Sequence, residues 1–455
     1  MSAVAGESVG ALLWRLWRDP AAWITTSDIF MILVALALPW STSLVAIFAV
    51  AALVAMAPFF DANAFLQSLK RPVSIFPVAL FFLAVIGTLW SEAPWGARLY
   101  AVGPAAKLLM LPVLFYHFES SSRGLKVFTA FLVSCILLMV MSWIVAFDPR
   151  LALKSGAEYG VPVKSYIDQS QEFALCAVVL AYPVITLLRA KRTWLAILLI
   201  AIALSFVVNM LFVSVSRTAL VTMPVMLGIF ALLHLKWRSI VIIASVAAVL
   251  GGMAWATSPQ LRATSGRFLR DYQLYMERDE PTALGLRLEF WKKSLRFIAE
   301  APVIGHGSGS TEGLFEQASV GPRVLAHGQV IRNPHNQTLN VAIQWGALGV
   351  IVLYAMWLSH LLLFRGDGLM AWIGLMVVVQ NFFTSLFNSH LFDFNEGWIY
   401  VLGVGIAGGV LLKAGPQEAS AGTRRTVAAG MVPTDQLSAT SQRASPDVFG
   451  DRSAT

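Results

Sequence analysis

TWLAILLIAIALSFVVNMLFVSVSRTALVTMPVMLGIFALLHLKWRSIVIIASVAAVLGGMAWAT, residues 193–257, decides the fold of this chain. It holds three apolar runs, 194–213, 217–235 and 239–257. Within it the Lys and Arg residues are confined to the joints, Ser214-Val215-Ser216-Arg217 and Lys236-Trp237-Arg238. About 20 apolar residues in helical form cross the hydrocarbon of a bilayer. Three such runs in series therefore predict membrane helices. The second joint is basic on both sides of Trp237, and that charge later fixes orientation.

The rest of the chain repeats this pattern. Of 455 residues, 57% are hydrophobic and 13% charged, and the mean hydropathy is +0.70. A water-soluble domain needs more polar surface. The spacing predicts an all-α polytopic membrane protein of twelve spans: 28–40, 43–59, 74–91, 98–117, 126–146, 172–188, 194–213, 217–235, 239–257, 337–363, 370–387 and 397–413. Pro39 and Trp40-Ser41-Thr42-Ser43 read either as a turn between two short spans or as a kink in one long one. Residues 1–27 read as a cytoplasmic amphipathic segment, with Trp14, Arg15, Trp17, Arg18 and Trp23 at headgroup level. Residues 28–257 hold spans one to nine, 258–336 form a long loop domain, and 337–413 hold spans ten to twelve. Residues 414–455 are rich in Ala, Ser, Thr and Gly and are expected to be disordered. Cys135 and Cys176 fall in apolar runs and read as buried hydrophobes.

Basic residues are scattered between the spans, which argues for topology signals and against nucleic acid. Lys70 and Arg71, Arg123 and Lys126, Arg189, Lys191 and Arg192, Lys236 and Arg238, and Arg365 mark alternate connections. The positive-inside rule puts these, and both termini, in the cytoplasm. Loops 147–171 and 258–336 then face outwards.

The 258–336 loop is too polar to span and too long for a mere connection, so it is expected to carry function. Leu284, Leu288, Trp291, Leu295 and Ile298 recur at helical spacing and predict a helix over about 283–300 with Arg287 off its apolar stripe. Pro302-Val303-Ile304-Gly305-His306-Gly307-Ser308-Gly309-Ser310 follows. Alternating glycines suit either a plain loop corner or the close approach of a ligand. In Asn333-Pro334-His335-Asn336-Gln337, Asn333 reads as an N-cap and Pro334 as the first helical residue. His335 would then sit in the first turn, where helix polarity favours the neutral imidazole a general base needs. A His that only caps or ties down the loop would look the same. Arg217, behind Ser216, opens a helix at the same face, where free N–H groups and a guanidinium suit phosphate; the alternative is an arginine reaching for headgroups. Asp168, Gln169, Glu172, Asp393 and Glu396 are candidates to orient His335 or to pair with Arg217 or Arg287. The histidines lack metal-ligand spacing, and there is no Walker motif or DxD pair. No metal and no cofactor are expected.

These features, in this order, resemble the O-antigen ligase family of bacterial inner-membrane glycosyltransferases. The matching parts are Ser216-Arg217-Thr218, Gly285-Leu286-Arg287 with Trp291, the 302–309 run, His335-Asn336-Gln337-Thr338-Leu339, and Gly346-Ala347-Leu348-Gly349, covering about 214–350. The resemblance implies a donor glycan on undecaprenyl diphosphate, a lipid A–core acceptor, membrane lipids around the site, and lipopolysaccharide as product at the periplasmic face. It implies His335 as base, and Arg217 and Arg287 on the diphosphate, with Asn336, Ser216, Asp168 and Asp393 in support. The reaction is expected to be inverting and metal-independent. A polymerase of O-antigen or exopolysaccharide, or a protein-glycosylating ligase, would share this layout. A lipid-linked glycan transporter is the reading from another class, although no repeat joins the two halves.

Overall fold

The computed structural model describes residues 19–154, 158–322 and 324–430, except the side chains of Phe268 and of 415–430. Among these residues every regular element is helical. The helices are α1 Pro20–Ala37, α2 Thr42–Met56, α3 Ala62–Leu69, α4 Pro72–Ile86, α5 Trp95–Ala106, α6 Met110–Ser120, α7 Gly124–Phe147, α8 Tyr166–Val179 and α9 Ala181–Arg189. They continue as α10 Thr193–Phe212, α11 Arg217–His234, α12 Trp237–Thr257, α13 Pro259–Arg278, α14 Ala283–Glu300, α15 Thr311–Gln317, α16 Gln337–Leu363, α17 Leu369–Thr384 and α18 Phe394–Gly430.

Among the described residues, ten helices are long and apolar enough to cross a membrane, or eleven if α3 and α4, bent by 86°, count as one span. This corrects the twelve expected. The expected span 370–387 is the 16-residue α17. At 1.5 Å per residue it is about 24 Å long, short of a hydrocarbon core of roughly 30 Å. Its last residues give way to a polar turn at Ser385–Asp393 that the site uses. The ambiguity at Pro39 resolves into a helical hairpin: Ser41 caps α2 by accepting from the Leu44 N–H at 3.3 Å. Trp23, read as part of a surface segment, belongs to α1, where Pro20 at N1 and the Asp19 cap start the helix eight residues before the expected span. The remaining expectation for residues 1–18 lies outside the described residues. Residues up to Leu411 form one compact unit and Leu412–Thr455 a second. Helix α18 is assigned through Gly430, where irregular chain was expected; Ala, Glu and Arg in 415–430 are good helix formers. Residues 431–455 of that expected tail lie outside the described residues.

The connections gather at two ends. At one, Asp28 accepts from Ser121 Oγ at 2.9 Å and Arg123 at 3.1 Å, and Arg71 pairs with Glu119. At the other, Ser308 N–H donates to the Gly87 carbonyl at 2.9 Å, Lys164 Nζ to Asn395 at 2.7 Å, and Gln337 N–H to the Ser385 carbonyl at 2.8 Å.

Helix α16 is broken at Gly346, whose φ of 60° and ψ of −154° are not helical. The glycine-rich run closes the break. His306 and Gly307 N–H groups donate to the Ile343 and Gln344 carbonyls at 2.9 and 2.8 Å. Ala347 and Leu348 N–H groups donate to the Pro302 and Val303 carbonyls at 2.8 and 3.1 Å. The glycines serve a structural corner in which the chain approaches itself closely, and not the approach of a ligand, the other reading. A Cβ on Gly346 would lie 2.4 Å from the Val303 carbonyl, and one on Gly305 2.5 Å from the Gln344 carbonyl carbon.

Gly346→Ala and Gly305→Ala should each destabilise the protein by about 1–3 kcal/mol, since both combine positive φ with a blocked Cβ. Gly251→Ala, helical with open space around it, should be neutral or mildly stabilising. Melting temperatures in detergent check this; equal melting of all three would contradict the stitched break.

Candidate functional site

Helix α14 occupies the residues expected of it, capped by Thr282, whose side chain accepts from the Gly285 N–H at 3.2 Å. Its buried face is rotated from the one expected. Phe290 and Phe297 are buried with Phe315 and Ile343, whereas Leu295 is exposed. The aromatic pair buries more surface than the leucine stripe and decides the contact. This rotation turns Arg287, one turn before Phe290, towards α11.

Arg217 begins α11 and Arg287 faces it. Both terminal nitrogens of Arg217 lie 3.3 Å from Asp271 Oδ2 on α13. Arg287 has no hydrogen bond or ion pair among the described residues. Burial holds its guanidinium below the usual arginine range, and the charge of Arg217 adds to this. Ser216 stands at the N-cap of α11 in extended conformation, without a side-chain cap bond. Ser216, Arg217 and Arg287 line one cavity of ≈ 470 Å³. Three arginines border it, Arg217, Arg267 and Arg287, against one carboxylate, Glu158. A second, apolar cavity of ≈ 430 Å³ shares Arg217, Thr218, Thr264 and Arg287, and continues to Leu220, Val221, Leu284 and Phe387. An uncapped helix start beside Arg217 and Arg287, in a cavity bordered by three arginines and one carboxylate, suits an anion. The apolar continuation suits a lipid tail on that anion.

His335 is not in a helix. Asn336 caps α16, accepting from the Leu339 N–H at 3.0 Å, and its amide also donates to the Leu386 carbonyl at 3.1 Å. This corrects the expected cap at Asn333. Asn333 instead accepts from the His335 N–H at 2.9 Å and holds His335 in the left-handed region at φ 55°. Asparagine favours such local turns, which compete with helix initiation. The His335 ring stacks on Phe290 at 6.2 Å. Its Nδ1 lies 2.9 Å from Asn388 Oδ1. Asn388 Nδ2 donates to Asp393 Oδ2 at 2.7 Å, and Asn333 Nδ2 donates to Asn388 Oδ1 at 3.2 Å. With the amide nitrogen of Asn388 turned to a carboxylate, its oxygen faces His335, so Nδ1 carries the proton and Nε2 keeps its lone pair. Burial pushes the imidazole below its ordinary pKa; Arg287 acts in the same direction and the bond to Asn388 against it. Burial lifts the Asp393 carboxyl to about 6, with Lys107 opposing and Asp168 adding.

Asp393 is thus the carboxylate behind His335, through Asn388. Asp168 reaches His335 only as a neighbour of Asp393. Asn388 and Ser389 had no signal in the sequence, being polar residues after an apolar run. His390 is buried beside His335 and Arg287, which together with burial push its pKa down to about 3. His306 Nε2 lies 2.8 Å from the Phe297 carbonyl and ties the glycine run to α14.

Residues 202–354 match the family model described as O-antigen ligase. The family comprises membrane glycan-transferring enzymes and is shared by O-antigen ligases and polymerases. The matched segment contains Arg217, Arg287, the glycine run, His335 and the broken helix, but not Asn388 or Asp393. A protein of Haemophilus influenzae described as uncharacterized is 28% identical over 171 residues. That match covers 36% of this chain and 42% of the relative, so less than half of either.

Carbethoxylation of His335, followed by mass spectrometry of its peptide, should lose half its rate in acid at a pH below 6.5, the ordinary imidazole value. In Asn388→Ala the midpoint should fall further, because the accepting amide raises the pKa. A midpoint at or above 6.5 in the parent protein would contradict the buried, neutral imidazole.

Proposed function

We propose that this protein is an O-antigen ligase that moves a glycan from undecaprenyl diphosphate to lipid A–core at the periplasmic face of the bacterial inner membrane. The observation that supports this most is the juxtaposition of a neutral His335, oriented through Nδ1, with the Arg217–Arg287 pair on one helix-capped anion cavity. The end carrying the site faces the periplasm, and both termini lie in the cytoplasm, by the distribution of Lys and Arg.

In this reading the donor's diphosphate lies between Arg217, Arg287 and the first N–H groups of α11, with its isoprenoid running past Leu220, Val221 and Phe387. His335 Nε2 accepts the proton of an acceptor hydroxyl. The acceptor oxygen bonds to the anomeric carbon as the bond from that carbon to the phosphate oxygen breaks, and the electron pair leaves on undecaprenyl diphosphate. The two guanidiniums stabilise the charge that develops on the leaving group, a task that many transferases give to a metal ion. Single displacement inverts the anomeric centre. Asp271 holds Arg217 until the diphosphate competes for it. A polymerase would use the same groups on a different acceptor.

Reconstitution with lipid-linked glycan and rough lipopolysaccharide tests the acceptor. Transfer to the lipopolysaccharide is expected; growth of the lipid-linked glycan alone would make the protein a polymerase, and neither product would sink the proposal. His335→Ala should cut transfer by about 10²–10⁴-fold, the range for a positioned general base. Arg217→Lys should lose about 10²-fold or more, because an ammonium cannot make the planar two-pronged contact. Full activity in Arg217→Lys would reduce Arg217 to a membrane anchor. Transfer should persist in excess chelator, and a loss restored by Mg²⁺ would overturn the metal-independent scheme.

A further inference from the structure

A third cavity, of ≈ 360 Å³, opens on the other side of the His335 cluster and takes no part in the scheme above. Tyr100 on α5, Thr311 and Glu312 on α15, Arg332, Asn340 on α16 and Asp393 border it. Its volume lies at the low end of the roughly 300–1,000 Å³ typical of small-ligand sites.

The chemistry of its walls selects a ligand class. Arg332 Nε is 2.7 Å from Glu312 Oε2, so the cation is already neutralised, and Asp393 adds a second carboxyl. No surplus positive charge remains for a phosphate, in contrast to the arginine cavity. The walls are also too polar for a lipid tail, which would leave buried groups unpaired. One such group is already waiting, and an amide lies beside it. Thr311 is 2% exposed, and its buried Oγ1 has no hydrogen-bond partner among the described residues. Asn340 is 6% exposed; its Oδ1 accepts from Gln344 Nε2 at 3.0 Å, and its Nδ2 donates to no described residue. Tyr100, 65% exposed, offers a flat ring that the Arg332 guanidinium covers at 5.5 Å from its centre. Unpaired hydroxyl and amide groups beside an aromatic ring that stays largely exposed match a polyhydroxylated ring with polar edges and apolar faces.

We propose that this cavity is a subsite for an uncharged sugar ring of the acceptor saccharide, distinct from the ring that reacts. The cavity shares Asn333, Ser389 and Asp393 with the cluster that holds His335, while His335 itself is not among its walls. A ring bound there tethers the acceptor beside the base and leaves the reacting hydroxyl on a neighbouring ring. The proposal rests on the glycan-transfer reading for the identity of the saccharide.

The test uses the full chain in nanodiscs and, as probe, the oligosaccharide freed from rough lipopolysaccharide by mild acid and then dephosphorylated. Calorimetry should show binding to the parent protein, weakened about 10-fold in Tyr100→Ala and in Thr311→Val, consistent with the loss of one contact. Inorganic pyrophosphate should bind all three alike. In the transfer assay Tyr100→Ala should raise the acceptor KM by about the same 10-fold, with the donor KM unchanged. Absence of saccharide binding by the parent protein, equal binding by both variants, or a requirement for the phosphates would overturn the subsite. If the parent protein transfers nothing, the ligase reading falls, and the calorimetric comparison still decides this one.

Discussion

A backbone group inside a bilayer must find a partner within the protein, and at Gly346 that requirement organises the whole site. Breaking α16 frees two carbonyls before the break and two N–H groups after it. Water cannot satisfy them at membrane depth, and each one left unpaired costs several kcal/mol. The run from Pro302 to Gly307 supplies all four partners. It can do so only because residues 305 and 346 lack a side chain where the two backbones meet, while Gly307 lacks one where the run passes Ser91. Gly309 N–H adds a fifth bond, to Gln344 Oε1 at 2.8 Å. The long loop is therefore registered, residue by residue, to a membrane helix.

That registration carries the site. His306 fastens the run to the end of α14. Phe290 and Phe297 pack α14 onto Ile343 of α16, just before the break. Arg287 and Phe290 then arrive together, one aimed at Arg217 and the other stacked beneath His335. His335 and Arg287 are thus set by the same helix. The Arg217–Arg287 pair carries a repulsion that the fold tolerates because packing elsewhere holds both side chains. Electrostatic preorganisation of this kind is what a leaving diphosphate would need.

Much of this was legible in the chain, and the remainder has identifiable reasons. Residues 283–300 and 217 onwards were found because period and punctuation act locally. His335, Arg217 and Arg287 stood out because charge is rare near apolar runs. The rotation of α14 was not legible, since Leu284, Leu288 and Leu295 fit a helical stripe as well as Phe290 and Phe297 do, and only the shape of the partner surface chooses between them. Asn388 lies 53 residues beyond His335, and an asparagine after a membrane run has many uses. The true cap, Asn336, is three residues past the expected one because Asn333 spends its side chain on His335. Span α17 was overcounted because hydropathy ignores the polar turn that shortens it.

The stitched break also divides the long loop mechanically. From Pro302 to Gly309 the chain is pinned to α16 by hydrogen bonds, and Phe315 joins the aromatic core beneath α14. Helix α13 has no such seam. It is held by side-chain bonds: Ser258 at its start, Trp255 Nε1 on Ser265 at 3.1 Å, the Arg217–Asp271 pair, Thr282 Oγ1 on the Asp271 carbonyl at 2.7 Å and Tyr275 on Glu289 at 3.2 Å, before Asp279 turns the chain at φ 51°. Surface ion pairs and single side-chain bonds are each worth only about a kcal/mol. The two halves therefore differ in the ease with which they part from the bundle. A load on the loop would part α13 from the bundle first, at the Arg217–Asp271 pair, while His335 and its supports stay fixed.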